Sequence, residues 1–170
     1  MNLWHFLQTR AVRRIFAALG CSCAQTESTP TDTHMNRWRC TSMNELTRSK
    51  SWRVLHEYEV AFLMRPDGKQ IAVGYFYGDP VCAVISPDET WCAIAGEGLI
   101  VYFLREPFEA YRYDHPTRQW IEFGRTQDDL WYIHELTALS ESEIAFTADP
   151  YGDRPGRYIF NVTTGNVKKE

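Results

Sequence analysis

The chain has 170 residues, with 18 Lys and Arg against 22 Asp and Glu and a formal charge of −4. Hydrophobic residues make up 44% and aromatic residues 14%, which is too apolar for a disordered chain. It also lacks the basic stripe of a general nucleic-acid binder, and no apolar run reaches the roughly 20 residues of a membrane helix.

The charge is uneven along the chain. Five basic residues stand against two acidic ones before Met43, and 13 against 20 from Met43 onward, a formal −7 for that part. The sequence divides into an N-terminal extension, residues 1–51, and a domain, residues 52–170. In the extension, Trp4, Leu7, Ala11, Ile15 and Ala18 recur at spacings of three and four, the period of an amphipathic helix. That helix is expected over about 3–19, with Gly20 as its C-cap. Its apolar run, Ile15 to Leu19, is shorter than the roughly 7 to 15 residues of an export signal. Arg10, Arg13 and Arg14 would suit an anionic membrane surface, and Cys21 would be the lipidated residue of an anchored form. The favoured reading is a weakly structured leader. Residues 22–51 are dense in Ser and Thr and almost free of aliphatics, a composition that cannot offset the entropy of ordering. They read as a linker.

From Trp52 the period becomes two, the period of strands. Tyr58 to Leu63 and Gln70 to Tyr77 flank the turn Arg65-Pro66-Asp67-Gly68-Lys69, with Pro and Gly supplying the turn angles. Val81 to Ile85 and Thr90 to Ala95 flank Ser86-Pro87-Asp88-Glu89, a second hairpin signal. Gly96-Glu97-Gly98 turns into Leu99 to Leu104. Further strands are expected at Ala110 to Tyr113, Trp120 to Phe123, Trp131 to Leu136, Glu143 to Thr147 and Arg157 to Val162, with a turn of helix near Glu106 to Ala110. Turns every 8 to 12 residues or so mark an antiparallel all-β protein.

A weak repeat runs through this domain. Ile85 to Ala95 with Gly98 to Tyr102, and Leu139 to Phe146 with Gly156 to Gly165, each join a Ser-led turn, an apolar strand, a Gly and an aromatic strand. Each resembles a blade of a β-propeller. At roughly 40 to 45 residues per blade, residues 52–170 would hold fewer than three. A twisted antiparallel meander or two packed sheets with blade-like hairpins is therefore the expected fold.

Catalytic signatures are missing from the sequence. Cys21-Ser22-Cys23 has no second pair at zinc spacing. If residue 84 faces residue 92, Cys82 and Cys92 share a sheet face only diagonally, roughly 7 to 8 Å apart, and read as free thiols of a reducing compartment. His134-Glu135 has Ala138 where a zinc-protease helix needs its second His. His56 and His134 together with nearby carboxylates are the weakest reading, an enzyme. Asp149-Pro150-Tyr151-Gly152-Asp153 has too few oxygen ligands for a calcium loop and reads as a hairpin tip. There is no phosphate loop and no nucleophile elbow. The sequence thus predicts a non-enzymatic protein with no catalytic residue, no metal and no cofactor.

What remains is surface character. Glu57, Glu59, Asp79, Glu97, Glu106, Glu109, Asp114, Asp128 and Asp129 accompany Tyr75, Tyr77, Tyr102, Tyr111, Tyr113, Trp131 and Tyr132. Acids beside aromatics suit a basic protein partner, because charge complementarity speeds encounter and aromatics anchor. Glu97, Glu106, Glu109, Asp128 and Asp129, near predicted turns, are the candidate partner-binding residues.

The stretch Val81 to Tyr113, with Ser86-Pro87-Asp88-Glu89 and Leu99-Ile100-Val101-Tyr102-Phe103-Leu104, resembles bacterial immunity proteins of polymorphic toxin systems. The resemblance implies a small, acidic, cytoplasmic inhibitor that binds one cognate, basic toxin domain and occludes its active site, with no nucleic-acid partner and no membrane contact. The alternative is a structural or sensor module, a propeller-like fragment that could be membrane-anchored through its N-terminal segment.

Overall fold

The computed structural model describes residues 43–113, 115 and 117–170. The helix expected over 3–19 lies outside the described residues, as do Cys21 and Asp114. The described part is all-β. The first sheet is β1 (Asn44–Arg48), β2 (Arg53–Glu57), β3 (Val60–Met64) and β4 (Gln70–Tyr75). The second is β5 (Cys82–Ile85), β6 (Trp91–Gly96), β7 (Gly98–Phe103) and β8 (Trp120–Phe123). A two-stranded hairpin, β9 (Arg125–Thr126) with β10 (Asp129–Leu130), leads to the third sheet. That sheet is β11 (Ile133–Ala138), β12 (Glu143–Ala148), β13 (Gly156–Asn161) and β14 (Val167–Lys169). Each four-stranded sheet is an antiparallel meander with strands in chain order, and none closes on itself.

The first strands of the three sheets are neighbours, β1 beside β5 and β5 beside β11, so the sheets stack with the second in the middle. One core cluster joins Trp91, Ala93, Ala95, Leu99 and Val101 to Ile133, Phe146, Phe160 and others of the third sheet. The other joins Cys92, Ile94, Ile100 and Tyr102 to Val54, Ala61, Leu63 and Val73 of the first. Successive strand residues point to opposite faces, so alternate residues of β6 and β7 enter alternate cores. This explains why both strands are apolar without interruption and buried along almost their whole length. A sheet covered on both sides needs no polar face. Ala93 and Ala95 provide close approach, while Trp131 sets its ring edge-on to Tyr158 at 4.9 Å and to Phe146 at 5.7 Å. Such aromatic pairs contribute about 0.5–1.5 kcal/mol each beyond area burial.

Several expectations are corrected. Strand β1 lies within the stretch read as linker, paired to β2 through Asn44↔His56 and Arg48↔Arg53. Glu45 holds it by ion pairs to Arg48 and Arg53 at 2.5 and 2.6 Å. Neither β1 nor β2 shows a clean apolar alternation, and the aliphatics that orient them are few. There are three stacked sheets rather than two, because the domain begins earlier and its turns are short. Ala110 to Tyr113 is not a strand, and Glu106 to Ala110 has no helical turn. The loop between β7 and β8 instead drapes over the first sheet, with Tyr111 N–H donating to Ala72 O at 2.8 Å. The β5–β6 register pairs Ile85 with Cys92 and Cys82 with Ala95. Cys82 therefore faces one core and Cys92 the other, on opposite faces of the sheet. Both are free, and burial pushes each thiol up to about 12.

A tyrosine-bearing acidic end as candidate functional site

Antiparallel alternation sends the β2–β3 turn, the β4–β5 connection, the β6–β7 turn, the β9–β10 hairpin and the β12–β13 loop to the same end of the stack. Backbone bonds tie these segments together. Phe76 N–H donates to Glu59 O at 2.8 Å, Gly98 N–H to Trp131 O at 2.6 Å, and Asp149 N–H to Tyr132 O at 2.8 Å. Glu97 forms an antiparallel bridge to Tyr132. Arg125 sits at the centre with a side chain only 10% exposed. Its guanidinium donates to Glu97 O at 2.7 Å and to Tyr75 O, pairs with Glu122 at 3.1 Å, and lies 4.6 Å over the Phe76 ring. One cation thus locks the turns of the first two sheets to the hairpin, its charge spent on buried acceptors.

Four of the most exposed aromatic residues stand at this end: Tyr58 at 72%, Tyr77 at 72%, Tyr132 at 52% and Tyr151 at 94%. Val81, 53% exposed, joins them. Tyr58 occupies the left-handed region at φ 49°, a conformation that costs a non-glycine residue about 1–2 kcal/mol. The turn is held by His56, whose ring Nδ1 donates to Tyr58 O at 3.2 Å. Carboxylates surround the tyrosines: Glu59, Asp79, Glu97, Asp128, Asp129, Asp149 and Asp153. The basic side chains that reach these segments are Arg125, already engaged, Arg154, which pairs with Asp129 and lies 4.9 Å over the Trp131 ring, and Lys169, whose Nζ donates to Pro155 O at 3.1 Å. His134 stands 3.6 Å from Asp149.

The five candidate binding residues divide between the two ends. Glu97, Asp128 and Asp129 belong to the tyrosine-bearing end. Burial raises the Glu97 carboxyl above its ordinary value, with Glu59 adding to the effect, while Arg125 and the Tyr77 N–H oppose it. Asp129 is held below its ordinary value, first by the hydrogen bond from Arg154 and then by Trp131, whose Nε1 donates to it at 3.1 Å. Asp128 is exposed at the hairpin tip. Glu106 and Glu109 lie at the opposite end, in the loop between β7 and β8. There Glu106 accepts from Arg65 at 2.8 Å, and Glu109 O accepts the Tyr102 hydroxyl at 2.6 Å. That end also carries Arg105, Arg112 and Arg118, so its acids are offset by neighbouring cations.

Of the aromatics singled out in the sequence, Tyr77 and Tyr132 are surface residues, whereas Tyr102, Tyr111 and Trp131 are core. Tyr58 and Tyr151 were not foreseen. Tyr151 carries a readable signal, an aromatic inside a Pro-Gly-Asp turn with no strand to bury it. Tyr58 does not, because its turn looks like the start of a strand. His56 and His134 stand on the first and third sheets and share no site. Among the described residues, no group of three His, Cys, Asp or Glu side chains is placed to hold a metal ion, and no helix is long and apolar enough to cross a membrane. No family model, no curated protein and no solved structure matches the chain.

Proposed function

We propose that this domain is an immunity protein that binds a basic toxin domain through its tyrosine-bearing acidic end and occludes the toxin's active site. The observation that carries the reading is the convergence of Tyr58, Tyr77, Tyr132 and Tyr151 with a cluster of carboxylates, Asp129 among them paired to Arg154, at one end of the stack. Solvent-exposed Tyr costs little entropy to immobilise and supplies large contact area, and hot spots of interfaces are enriched in it. The carboxylates steer a cationic partner and reject an anionic one. The rigid Arg125 clamp keeps the surface preorganised, which lowers the entropy lost on binding.

The test is co-expression with the product of the gene immediately upstream. Growth should be rescued, and the two proteins should co-elute on a sizing column. The pair Tyr77→Ala and Tyr132→Ala should weaken binding by at least about 2 kcal/mol, roughly thirtyfold, and Asp128→Lys should slow association at low salt. Absence of rescue and of a complex would refute the proposal. A second reading, a sensor or structural module related to propellers, is favoured by one observation, the three consecutive four-stranded meanders. It predicts that the tyrosine variants leave the protein's role unchanged.

A further inference from the structure

The Arg125 guanidinium that locks the tyrosine-bearing end is itself held in place by two further residues. Its Nε donates to Glu122 Oε1 at 3.1 Å. The same oxygen accepts the Tyr111 hydroxyl, which Arg125 also reaches. Tyr111 belongs to the loop between β7 and β8, the loop that carries Glu106 and Glu109 at the opposite end of the stack. That loop is fixed by the Tyr111 N–H, which donates to Ala72 O at 2.8 Å. The Tyr102 hydroxyl adds a bond to Glu109 O at 2.6 Å, and Gln119 Nε2 one to Arg105 O at 3.1 Å. The Tyr111 ring is 2% exposed, with Trp120 at 5.2 Å and Tyr75 at 5.9 Å.

These contacts close a ring of four residues. Tyr75 packs on Tyr111, Tyr111 bonds Glu122, Glu122 pairs with Arg125, and Arg125 donates back to Tyr75 O. From this ring Arg125 reaches the binding end, donating to Glu97 O at 2.7 Å and lying 4.6 Å over the Phe76 ring. The Glu97 carboxylate in turn accepts the Tyr77 N–H. Arg125 therefore places the backbone on which Tyr77 stands. Among the described residues its one ion-pair partner is Glu122. A cation this enclosed is held firmly only by an opposite charge in good geometry, and Tyr111 fixes the orientation of that carboxylate.

We infer that Tyr111 and Glu122 are positioning residues of the tyrosine-bearing end. Acting through Arg125, they hold Glu97 and the Tyr75–Tyr77 segment in the conformation that meets the partner. The inference rests on the reading that this end binds, and it names residues that prepare the end without forming its exposed tyrosine surface. Tyr111 is buried, so its influence on a bound partner passes through the groups it touches. The loop between β7 and β8, distant from the binding end along the chain, thus sets how firmly Tyr77 is presented, and a preorganised contact loses less entropy on binding.

Two variants of the full-length protein test this. Tyr111→Phe removes the hydroxyl and keeps the ring packing, and Glu122→Gln removes the charge at similar size. Amide NMR of the free protein should show Phe76, Tyr77 and Gly98 displaced in both variants, while the amides of β12 in the third sheet keep their positions. Affinity for the product of the upstream gene should fall about threefold in Tyr111→Phe and about tenfold in Glu122→Gln, because hydrogen bonds to charged groups are the stronger ones. A purely stabilising role would lower the urea midpoint but leave these amides and the affinity of the folded protein unchanged, and that result overturns the inference. Displacements confined to the immediate neighbours of residues 111 and 122 overturn it equally, even where the wild type binds. Should Glu122→Gln fail to fold, Tyr111→Phe alone decides by the same criteria. A wild-type protein that binds no upstream product, with Phe76, Tyr77 and Gly98 still displaced in the variants, refutes the immunity reading and supports the positioning.

Discussion

Replacing Gly98 by Ala probes the packing that builds the tyrosine-bearing end. Gly98 has φ +79°, and a Cβ there would meet Arg125 Cγ at 2.1 Å, Gly124 O at 2.8 Å and Phe123 O at 2.9 Å. The left-handed backbone alone costs an alanine about 1–2 kcal/mol. The two carbonyls belong to backbone that cannot step aside, and Arg125 is pinned by its own bonds, so overpacking adds about 1–3 kcal/mol. A loss of about 2–5 kcal/mol follows, against a total stability of about 5–15 kcal/mol for a natural domain. Gly165→Ala is the control. Its φ is +71° with nothing within 4 Å of the added Cβ, so it should lose only the backbone contribution, about 1–2 kcal/mol. Urea denaturation of both variants, with m held constant, measures the difference. Equal losses in the two variants would show that Gly98 is not closely approached and would refute the packing described around Arg125.

Two other outcomes follow from the architecture. Phe146→Ala and Ile100→Ala empty different cores and should cost about 3–5 and 2–5 kcal/mol respectively. Because the middle sheet belongs to both cores, each variant should still unfold in one transition, and a biphasic curve would contradict the stacking. Glu97 has a carboxyl raised above its ordinary value by burial. Between the unfolded and folded values the folded chain binds more protons, so this group favours folding as pH falls through that interval and penalises it above. Glu97→Gln should therefore flatten this part of the stability–pH profile without loss of stability near neutral pH, as measured by thermal melts from about pH 4 to 7. Identical profiles for the two proteins would refute the burial argument.

The strands of the second sheet were legible because their signals are local. Pro87-Asp88 and Gly96-Glu97-Gly98 turn the chain at either end of β6, and unbroken apolar runs mark strands covered on both faces. Strands β1 and β2 were not legible, since Asn44–Arg48 carries one aliphatic residue, and its pairing depends on β2 and on the Glu45 ion pairs. Tyr111 was read within a strand because extended chain that crosses to another sheet has the same local pattern as chain that pairs within one. The candidate site was legible by composition but not by position. Acids near turns could be named, whereas which end each turn occupies could not.

The sequence by itself determined an all-β, acidic domain, because alternation and turn chemistry act over a few residues and charge is counted without regard to fold. Only the tertiary structure decided that three sheets stack with a doubly covered middle layer, and that four tyrosines face solvent while Tyr102, Tyr111 and Trp131 do not. It also parted Glu97, Asp128 and Asp129 from Glu106 and Glu109. Burial and proximity here come from contacts between sheets distant in the chain, and no local pattern encodes which face of one sheet will meet another.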